Sequence, residues 1–498
     1  MGVFDFLTGK KAEETPKQNK VFKRSYAAAS TGRLFADFAS SNASADSELK
    51  QALPKMRDRS RDLARNNEYA KRYFSLLGAN VVGDMGFQLQ VKAFDSVGKL
   101  DQSGNDAVEK AFKSWAKRGN CTVDGKMSWI EAQKLAVEAI ARDGEVFIVK
   151  HRSAKFKDSF AIEFVEADQV DVLFNKKLDG GREIRMGVEL DEFKKPTAYY
   201  VLTNHPGDNE YTSITGSKYR RIPADRMIHA YRHLRAGQTR GEPWLANVMF
   251  SLKQLAALRE AAIINARIGA SKMGFFTSPA GDGFVADDMD NNVPIMEVEP
   301  GTFHQLPQGV DFKTFSPDYP TSEFDGFHKS VLKGIASGMG VSYTSLSNDL
   351  EATSYSSIRQ GALEERDNYK NIQRFFIDQV IMPIYEAWLG SSMEMNSFGI
   401  PVRQYDRFLD ASMFRGRAWS WVDPVKEMSA AIAGLKAGVL SLSDVAAQYG
   451  KDVEELMGQI ARDKEMADQF GIKYALEPYN ANMTAVIPEG VDTTTTPQ

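Results

Sequence analysis

The feature that most limits how this chain can fold is a helical period that runs, with one break, from Phe324 to Trp388. Phe324, Phe327, Val331, Ile335 and Met339 fall at steps of three and four and share one face of a helix, while Lys329 and Lys333 lie on another. The pattern resumes at Ile358, Ala362, Tyr369, Ile372, Phe376, Val380, Ile384 and Trp388. That is about eight turns, roughly 45 Å of helix, and a stripe of that length is buried only if other elements are laid along it. Between the two runs, Val341 to Ser357 is rich in hydroxyls and acids and poor in lysine. It reads as a long loop, and loops of more than about a dozen residues inside a compact body are usually functional or disordered.

A third helical run supplies the partner. From Gly241 to about Met273, Pro243 sits as a first-turn residue, and Leu245, Val248, Leu252, Leu255, Leu258, Ala262 and Ala266 share a face. The spacing predicts roughly 45 to 50 Å of helix, paired with Phe324–Met339. Gly274 to Ser322, between them, carries Gly, Pro and Asp with short strand-like runs such as Ile295 to Val298, and reads as a small β-containing excursion.

The remainder alternates helix and strand. Residues 1–45 lack sustained periodicity and read as a mobile arm. From Asp46, Leu49, Leu53, Met56, Leu63, Ala70, Phe74 and Leu77 mark a helical face. Arg57, Arg61 and Arg65 form a stripe opposite; because Asp58 and Asp62 interleave, it reads as a solvated or subunit-facing surface rather than a phosphate strip. Phe87, Leu89 and Val91 alternate as a strand, and Val108, Phe112 and Trp115 mark a helix over 106–117 with Gly119 to stop it. Ser128 with Glu131 is a capping box that starts a helix running to about Arg142, with Gly144 as its stop. Strands are predicted at 145–150, 160–165, 183–190, 198–202 and 227–231. After Trp388, Asp423–Pro424 opens a helix that Gly438 closes, Ser443 caps a second, and Asp452 with Glu455 caps a third. The tail after residue 475 is too polar to bury a core. The fold class is α+β.

Composition narrows the function. With 498 residues the chain exceeds what a single core supports, so two to four domains are expected. At 43% hydrophobic and 26% charged it is an ordinary globular composition, and no apolar run approaches the roughly 18 residues of a membrane span. The start, Met-Gly-Val-Phe-Asp-Phe-Leu-Thr, has neither the order of a signal peptide nor that of a myristoylation motif. The one cysteine, Cys121, excludes an intrachain disulfide and reads as a buried thiol. A net charge of −4 argues against a surface that grips DNA, since such affinity comes largely from neutralised phosphates, but it leaves room for local basic rings.

Catalytic and metal motifs are missing. His229 and His233 stand four apart, but Met227–Tyr231 reads as a strand and no His-Glu-x-x-His order occurs. The sequence has no phosphate-cradling Gly-x-x-x-x-Gly-Lys-Ser/Thr loop, and Gly338-Met339-Gly340 follows a helix, as a C-cap does. Glu163, Glu166, Asp168 and Asp171 cluster, as do Asp287, Asp288 and Asp290. A two-metal nuclease would need such groups to converge, but both sets read as solvated turns. No catalytic residue, metal or cofactor is expected.

Several stretches resemble one family. They are Ala64–Asn67 with Val81-Val82-Gly83, Phe164–Asp168, Met186–Asp191, Arg235–Leu245 (Arg-Ala-Gly-Gln-Thr-Arg-Gly-Glu-Pro-Trp-Leu) and Phe315–Asp318, followed by Gly334–Tyr343 leading to Tyr355–Arg359. Their order and spacing, from about residue 50 to 440, resemble the lambda-type portal proteins of tailed bacteriophages. The resemblance implies a ring of typically twelve subunits at one capsid vertex, with a channel for double-stranded DNA. It divides the chain into an α+β wing (46–240), two stem helices (241–273 and 323–340), a clip (274–322), a tunnel loop (341–357), a long wing helix and return (358–422) and a helical crown (423–475). Implied partners are the terminase large subunit, head-completion and tail connector proteins, and the major capsid and scaffold proteins, with no membrane. The implied location is the virion, after assembly in the host cytoplasm. Asn348, Asp349, Leu350, Glu351, Ala352 and Thr353 would then face the DNA, and Lys329 and Lys333 would line the channel as basic rings or pair with a neighbouring subunit's acids. The rival readings are a metal-dependent nuclease of the packaging machinery and a capsid or tail protein that never touches DNA.

Overall fold

The computed structural model describes residues 33, 42–208, 218–270, 274–277, 288–290, 293–295, 311–314, 323–351, 354–419, 424–449 and 453–471. The chain divides into two units, Met1–Ser44 and Ala45–Gln498, and the elements below belong to the second. The predicted arm, apart from residues 33 and 42–44, and the predicted tail lie outside the described residues.

Helices α1 (Ala45–Asn66) and α2 (Glu68–Leu77) open the body; Asn67 caps α2 by accepting from the amides of Tyr69 and Ala70. Strand β1 (Gln88–Val91) and helix α3 (Gln102–Trp115) follow. Helix α4 (Trp129–Asp143) starts on the Ser128–Glu131 capping box and ends at Gly144, whose φ of 92° only glycine adopts readily. Strands β2 (Glu145–Arg152), β3 (Phe160–Val165) and β9 (Met227–Tyr231) form an antiparallel sheet with β2 at its centre. Strands β4 (Lys176–Lys177), β5 (Glu183–Arg185), β6 (Val188–Leu190), β7 (Pro196–Leu202) and β8 (Tyr219–Pro223) form an antiparallel meander.

β2 shows how sequence builds layers. Its side chains alternate between faces. Val146 and Ile148 enter the main core with Ala136, Ile140 and Trp129 of α4. Phe147 and Val149 enter a second core with Val188, Leu190, Tyr199 and Val201 of the meander. One buried strand thus divides a helical layer from a second sheet, which is why it reads as a continuous apolar run.

The second half is helical. Helix α5 (Met249–Ala270) precedes the strand pairs β10 (Gly274–Thr277) with β13 (Asp311–Thr314) and β11 (Asp288–Asp290) with β12 (Val293–Ile295). Then come α6 (Phe324–Met339), α7 (Tyr343–Ser347), α8 (Tyr355–Phe376) and α9 (Met382–Glu394). A single π turn, Ile377–Ile381, joins α8 to α9. Pro383 cannot donate into the ladder, and the widened turn before it takes up the mismatch. Helix α10 (Tyr405–Asp410) leads to β14 (Ser412–Arg415), which pairs with β1, and α11 (Pro424–Lys436), α12 (Leu442–Gln448) and α13 (Val453–Gln469) end the described chain. Phe112, Trp115, Tyr385, Trp388 and Phe414 lock the main core; Phe112 meets Trp388 edge-on at 4.9 Å between ring centroids.

Several expectations are corrected. Helix α5 begins at Met249 rather than near Gly241, because the preceding segment is pinned in turns against α4, with Trp244 N donating to Ala141 O at 2.9 Å. At this crossing a Cβ on Gly241 would lie 2.1 Å from the Gly144 carbonyl oxygen, so two glycines allow backbones to touch. The stretch 183–190 is not one strand but the β5–β6 hairpin, closed by Met186 and Gly187 with positive φ at both. Ser441, not Ser443, caps α12, boxed with Asp444. The loop from Val341 to Ser357 contains helix α7, and α8 starts at Tyr355 on the Ser354 cap.

Candidate functional site

The loop after α6 is built from its base outward. Gly340, at φ 70°, ends α6; its amide donates to Ser337 O and that of Val341 to Ala336 O, both at 3.1 Å. The buried side chain of Val341 follows, and Ser342 then caps α7 by accepting from Ser345 N at 3.1 Å. The hydroxyls of Ser342 and Ser345 donate to one oxygen of Glu365 on α8 at 2.8 and 2.7 Å, and Tyr369 donates to the other at 2.6 Å. Arg72 of α2 donates to Ser345 O at 3.1 Å, and Leu346 is buried beneath. What looked in sequence like a structureless polar stretch is a braced turn: its hydroxyls spend themselves on a cap and on a buried carboxylate.

Beyond α7 the expected DNA-facing residues separate. Asn348, at φ 57°, closes the helix and is exposed. Leu350 is 63% exposed and Glu351 is exposed as well. Asp349 turns back: one carboxylate oxygen accepts from Glu351 N at 3.0 Å, and the other accepts from the Tyr343 hydroxyl at 2.8 Å and lies 3.4 Å from Lys329 Nζ. Ala352 and Thr353 lie outside the described residues.

Within the single subunit each lysine of α6 meets its own chain. Lys329 Nζ is 2.9 Å from Asp325 one turn earlier, as well as beside Asp349. The bond to Asp325, ahead of the weaker pull of Asp349, holds this lysine protonated beyond its usual range. Tyr343 chiefly, with the Glu351 amide and Lys329, holds the Asp349 carboxyl below its ordinary range. Lys333 sits 5.6 Å from the centroid of the Tyr343 ring. Tyr343, Glu365 and Arg72 carry this arrangement and were not singled out in the sequence.

A second constellation corrects the arginine stripe. Arg57 is fully buried rather than solvated; it pairs with Glu145 and Asp168 and donates to the carbonyls of Asp143 and Ala167. Arg61 is partly buried and bridges Asp143 and Asp168. Arg240 is also fully buried: its Nε lies 2.9 Å from both oxygens of Glu145, and its terminal nitrogens donate to Ala167, Val170 and Met186 carbonyls. His229 shares a proton with Glu145 at 2.8 Å, and Gly241 N donates to it at 3.1 Å. Burial would raise the Glu145 carboxyl, but Arg240 and Arg57 overcome that and hold it far below the ordinary range. Burial pushes His229 down, so its ring stays neutral. Two guanidiniums against Glu145 and Asp168 leave the cluster near neutrality, the condition for tolerating charge in a core. The cluster ties α1, both sheets and the segment leading to α5 into one joint. Its sequence signal was a charge where none should be, at Gly144-Glu145 before an apolar strand and at Thr239-Arg240-Gly241.

The carboxylates that a nuclease would need are dispersed. Glu163 pairs with His151 and Arg220, Glu166 with His205, and Asp168 with the arginines, while Asp171 accepts from Tyr219. They are thus paired with separate partners rather than convergent, and Glu166 remains exposed. Of the second set, Asp288 and Asp290 lie in β11, and Asp287 is outside the described residues. Among the described residues no group of three or more His, Cys, Asp or Glu is placed to hold a metal. His229 is taken by Glu145, and the His233 ring packs 4.3 Å from Tyr231. Cys121 is buried, donates to Met127 O at 3.3 Å, and has its pKa pushed up to about 12 by burial. Among the described residues no helix is long and apolar enough to cross a membrane.

The chain is similar to proteins of one kind. A family model described as phage portal protein, lambda family, matches residues 31–373. A probable portal protein of Halomonas phage phiHAP-1 is 36% identical over 436 residues, covering 86% of this chain and 83% of its own. Portal protein B of Escherichia phage lambda is 23% identical over 470 residues, covering 86% and 87%. A solved chain from the neck of a native GTA particle, computed with C12 symmetry, aligns at 13% identity with a TM-score of 0.42, covering 79% of this chain and 93% of that one.

Proposed function

Since the chain belongs to the lambda family of phage portal proteins, we propose that it builds the portal vertex of a bacteriophage capsid, a ring-shaped channel through which double-stranded DNA is packaged and ejected. The observation that carries this reading is the family match over residues 31–373, a span that takes in both sheets, α5, α6 and the braced loop and ends within α8. On this reading the sheets and α1 to α4 belong to the wing and α5 with α6 forms the stem. The strands β10 to β13 are the clip, α8 and α9 return through the wing, and α11 to α13 make the crown. The loop 341–357 is the tunnel loop, with Asn348, Leu350 and Glu351 turned to the DNA. The subunits form a ring, twelve in the family's usual case, on which the terminase large subunit docks during packaging and head-completion or tail connector proteins afterwards. Major capsid and scaffold proteins are further partners, and the capsid portal vertex of the virion is its location.

The stem supports a ring. Helix α5 is apolar on more than one side, and Phe250, Ile263 and Ile264, with Phe327 on α6, stand exposed in the single subunit. A neighbour in a head-to-tail contact would cover them. A net charge of −4 also suits passage over capture, since every neutralised phosphate would be multiplied around a ring. Negative-stain electron microscopy of the purified full chain tests the reading. Ring particles with a central hole are expected, and a closed two-fold dimer refutes it.

A further inference from the structure

The two lysines of α6 stand one turn apart but differ in surroundings: Lys333 is exposed, whereas Lys329 is half-buried. Lys329 retains 30% side-chain exposure and is held from two directions. Asp325 comes from the same helix and would hold it in any state of the loop. Asp349 comes from the loop and does so only because α7 folds the chain back. The Asp349 carboxylate is itself aimed, by the Tyr343 hydroxyl at 2.8 Å and by the Glu351 amide at 3.0 Å. Tyr343 in turn lies beneath Lys333. A carboxylate oriented by two donors and set against an ammonium presents the same charge and acceptor geometry that a phosphodiester oxygen would present there.

We propose that Asp349 is an internal substitute for a DNA phosphate: it shares Lys329 with Asp325, so that the loop-facing side of this lysine engages a phosphate backbone only where Asp349 withdraws. The inference rests on the channel reading above and deepens it. All of the groups involved are near the surface, so the cover is weak, salt-sensitive and quickly reversible. Those properties suit a lining that must touch a moving polyanion without holding it. The base of the loop stays fixed meanwhile, because Glu365, Arg72 and Leu346 anchor α7 independently of Asp349.

The test is the salt dependence of binding to a short fluorescein-labelled DNA duplex, followed by anisotropy on the full chain. Asp349→Asn keeps the shape of the side chain and its ability to accept from Tyr343 but removes the competing charge. It is expected to steepen the slope of log affinity against log salt by about 0.9 for each subunit whose Lys329 reaches a phosphate, or roughly 3.5-fold more affinity gained per subunit between about 200 and 50 mM salt. Lys329→Gln added to Asp349→Asn returns the slope to that of the parent. Glu364→Gln removes an equal charge from the exposed side of α8, away from the loop tip, and measures the general effect of net charge. The proposal is overturned if Asp349→Asn leaves the slope unchanged, if Glu364→Gln steepens it equally, or if the gain survives Lys329→Gln. Melting curves of all three variants, matched to the parent, confirm that each is folded. Rings without the Asp349 effect defeat the cover and leave the portal reading standing; the effect without rings does the opposite.

Discussion

Glu145→Gln is the most searching perturbation of this fold. The substitution changes neither volume nor shape, but it removes the one charge that faces Arg57 and Arg240 together, and all three side chains are fully buried. Asp168, shared with Arg61, then still pairs with Arg57, while Arg240 keeps the carbonyls of Ala167, Val170 and Met186. Breaking a buried pair from one side costs about 3 to 5 kcal/mol, because the remaining charge is stranded rather than returned to water. For a cooperative unit of this size each kcal/mol moves the melting temperature by roughly 1 °C, so a fall of roughly 3 to 5 °C is expected. Circular dichroism at fixed subunit concentration measures it, since assembly shifts apparent stability by mass action. Asp367→Asn, which breaks only the exposed pair with Lys370, serves as the control and leaves the melting temperature in place. A Glu145→Gln protein that melts within 2 °C or so of the parent would refute the claim that this joint holds the layers together.

Three further outcomes follow from the same coordinates. Because burial keeps His229 neutral in the fold, the unfolded chain binds an extra proton below about pH 6.5, and stability drops with pH by up to about 1.4 kcal/mol per unit; His229→Gln removes that component, so its stability advantage or deficit relative to the parent shifts in its favour between pH 7 and 5 in urea titrations. Gly241→Ala forces a methyl group to within 2.1 Å of the Gly144 oxygen and is expected to yield little soluble protein, whereas Gly326→Ala, with open space around it on α6, is tolerated in expression trials. Cys121, buried and with its pKa raised to about 12, is expected to resist a thiol reagent at pH 8 until denaturant is added, and ready labelling of the folded chain would contradict its placement.

Much of the architecture could be read from local chemistry. Ser128, Glu131 and Gly144 delimit α4 because capping is decided within a few residues, and β2, β3 and β9 announce themselves through runs of β-branched and aromatic side chains. What could not be read depended on distant partners. Arg57 has the same spacing whether it faces water or Glu145, which lies 88 positions away. The start of α5 is masked in the sequence because Leu245 and Val248 keep helical spacing while the backbone around them is held in turns by a glycine crossing. At the candidate site the stretch from Asn348 to Glu351 stood out by composition, but the hydroxyls of Ser342 and Ser345 gave no hint that Glu365 would collect them. Lys329 likewise gave no hint of Asp349, because the return of the chain through α7 is what makes them neighbours.

The π turn between α8 and α9 sets a phase. Such a turn accommodates one residue more than the helix around it would hold, and each residue advances an α-helix by about 100°. A plain α-helix of the same length would carry Ile384, Tyr385 and Trp388, all fully buried, about 100° past Phe112; the wide turn absorbs that advance and keeps them in the core. Deleting Asp378 would close the turn to an ordinary one and leave those three side chains in phase, so the segment from Phe376 to Met382 is where this rod can lose one residue without turning its buried face.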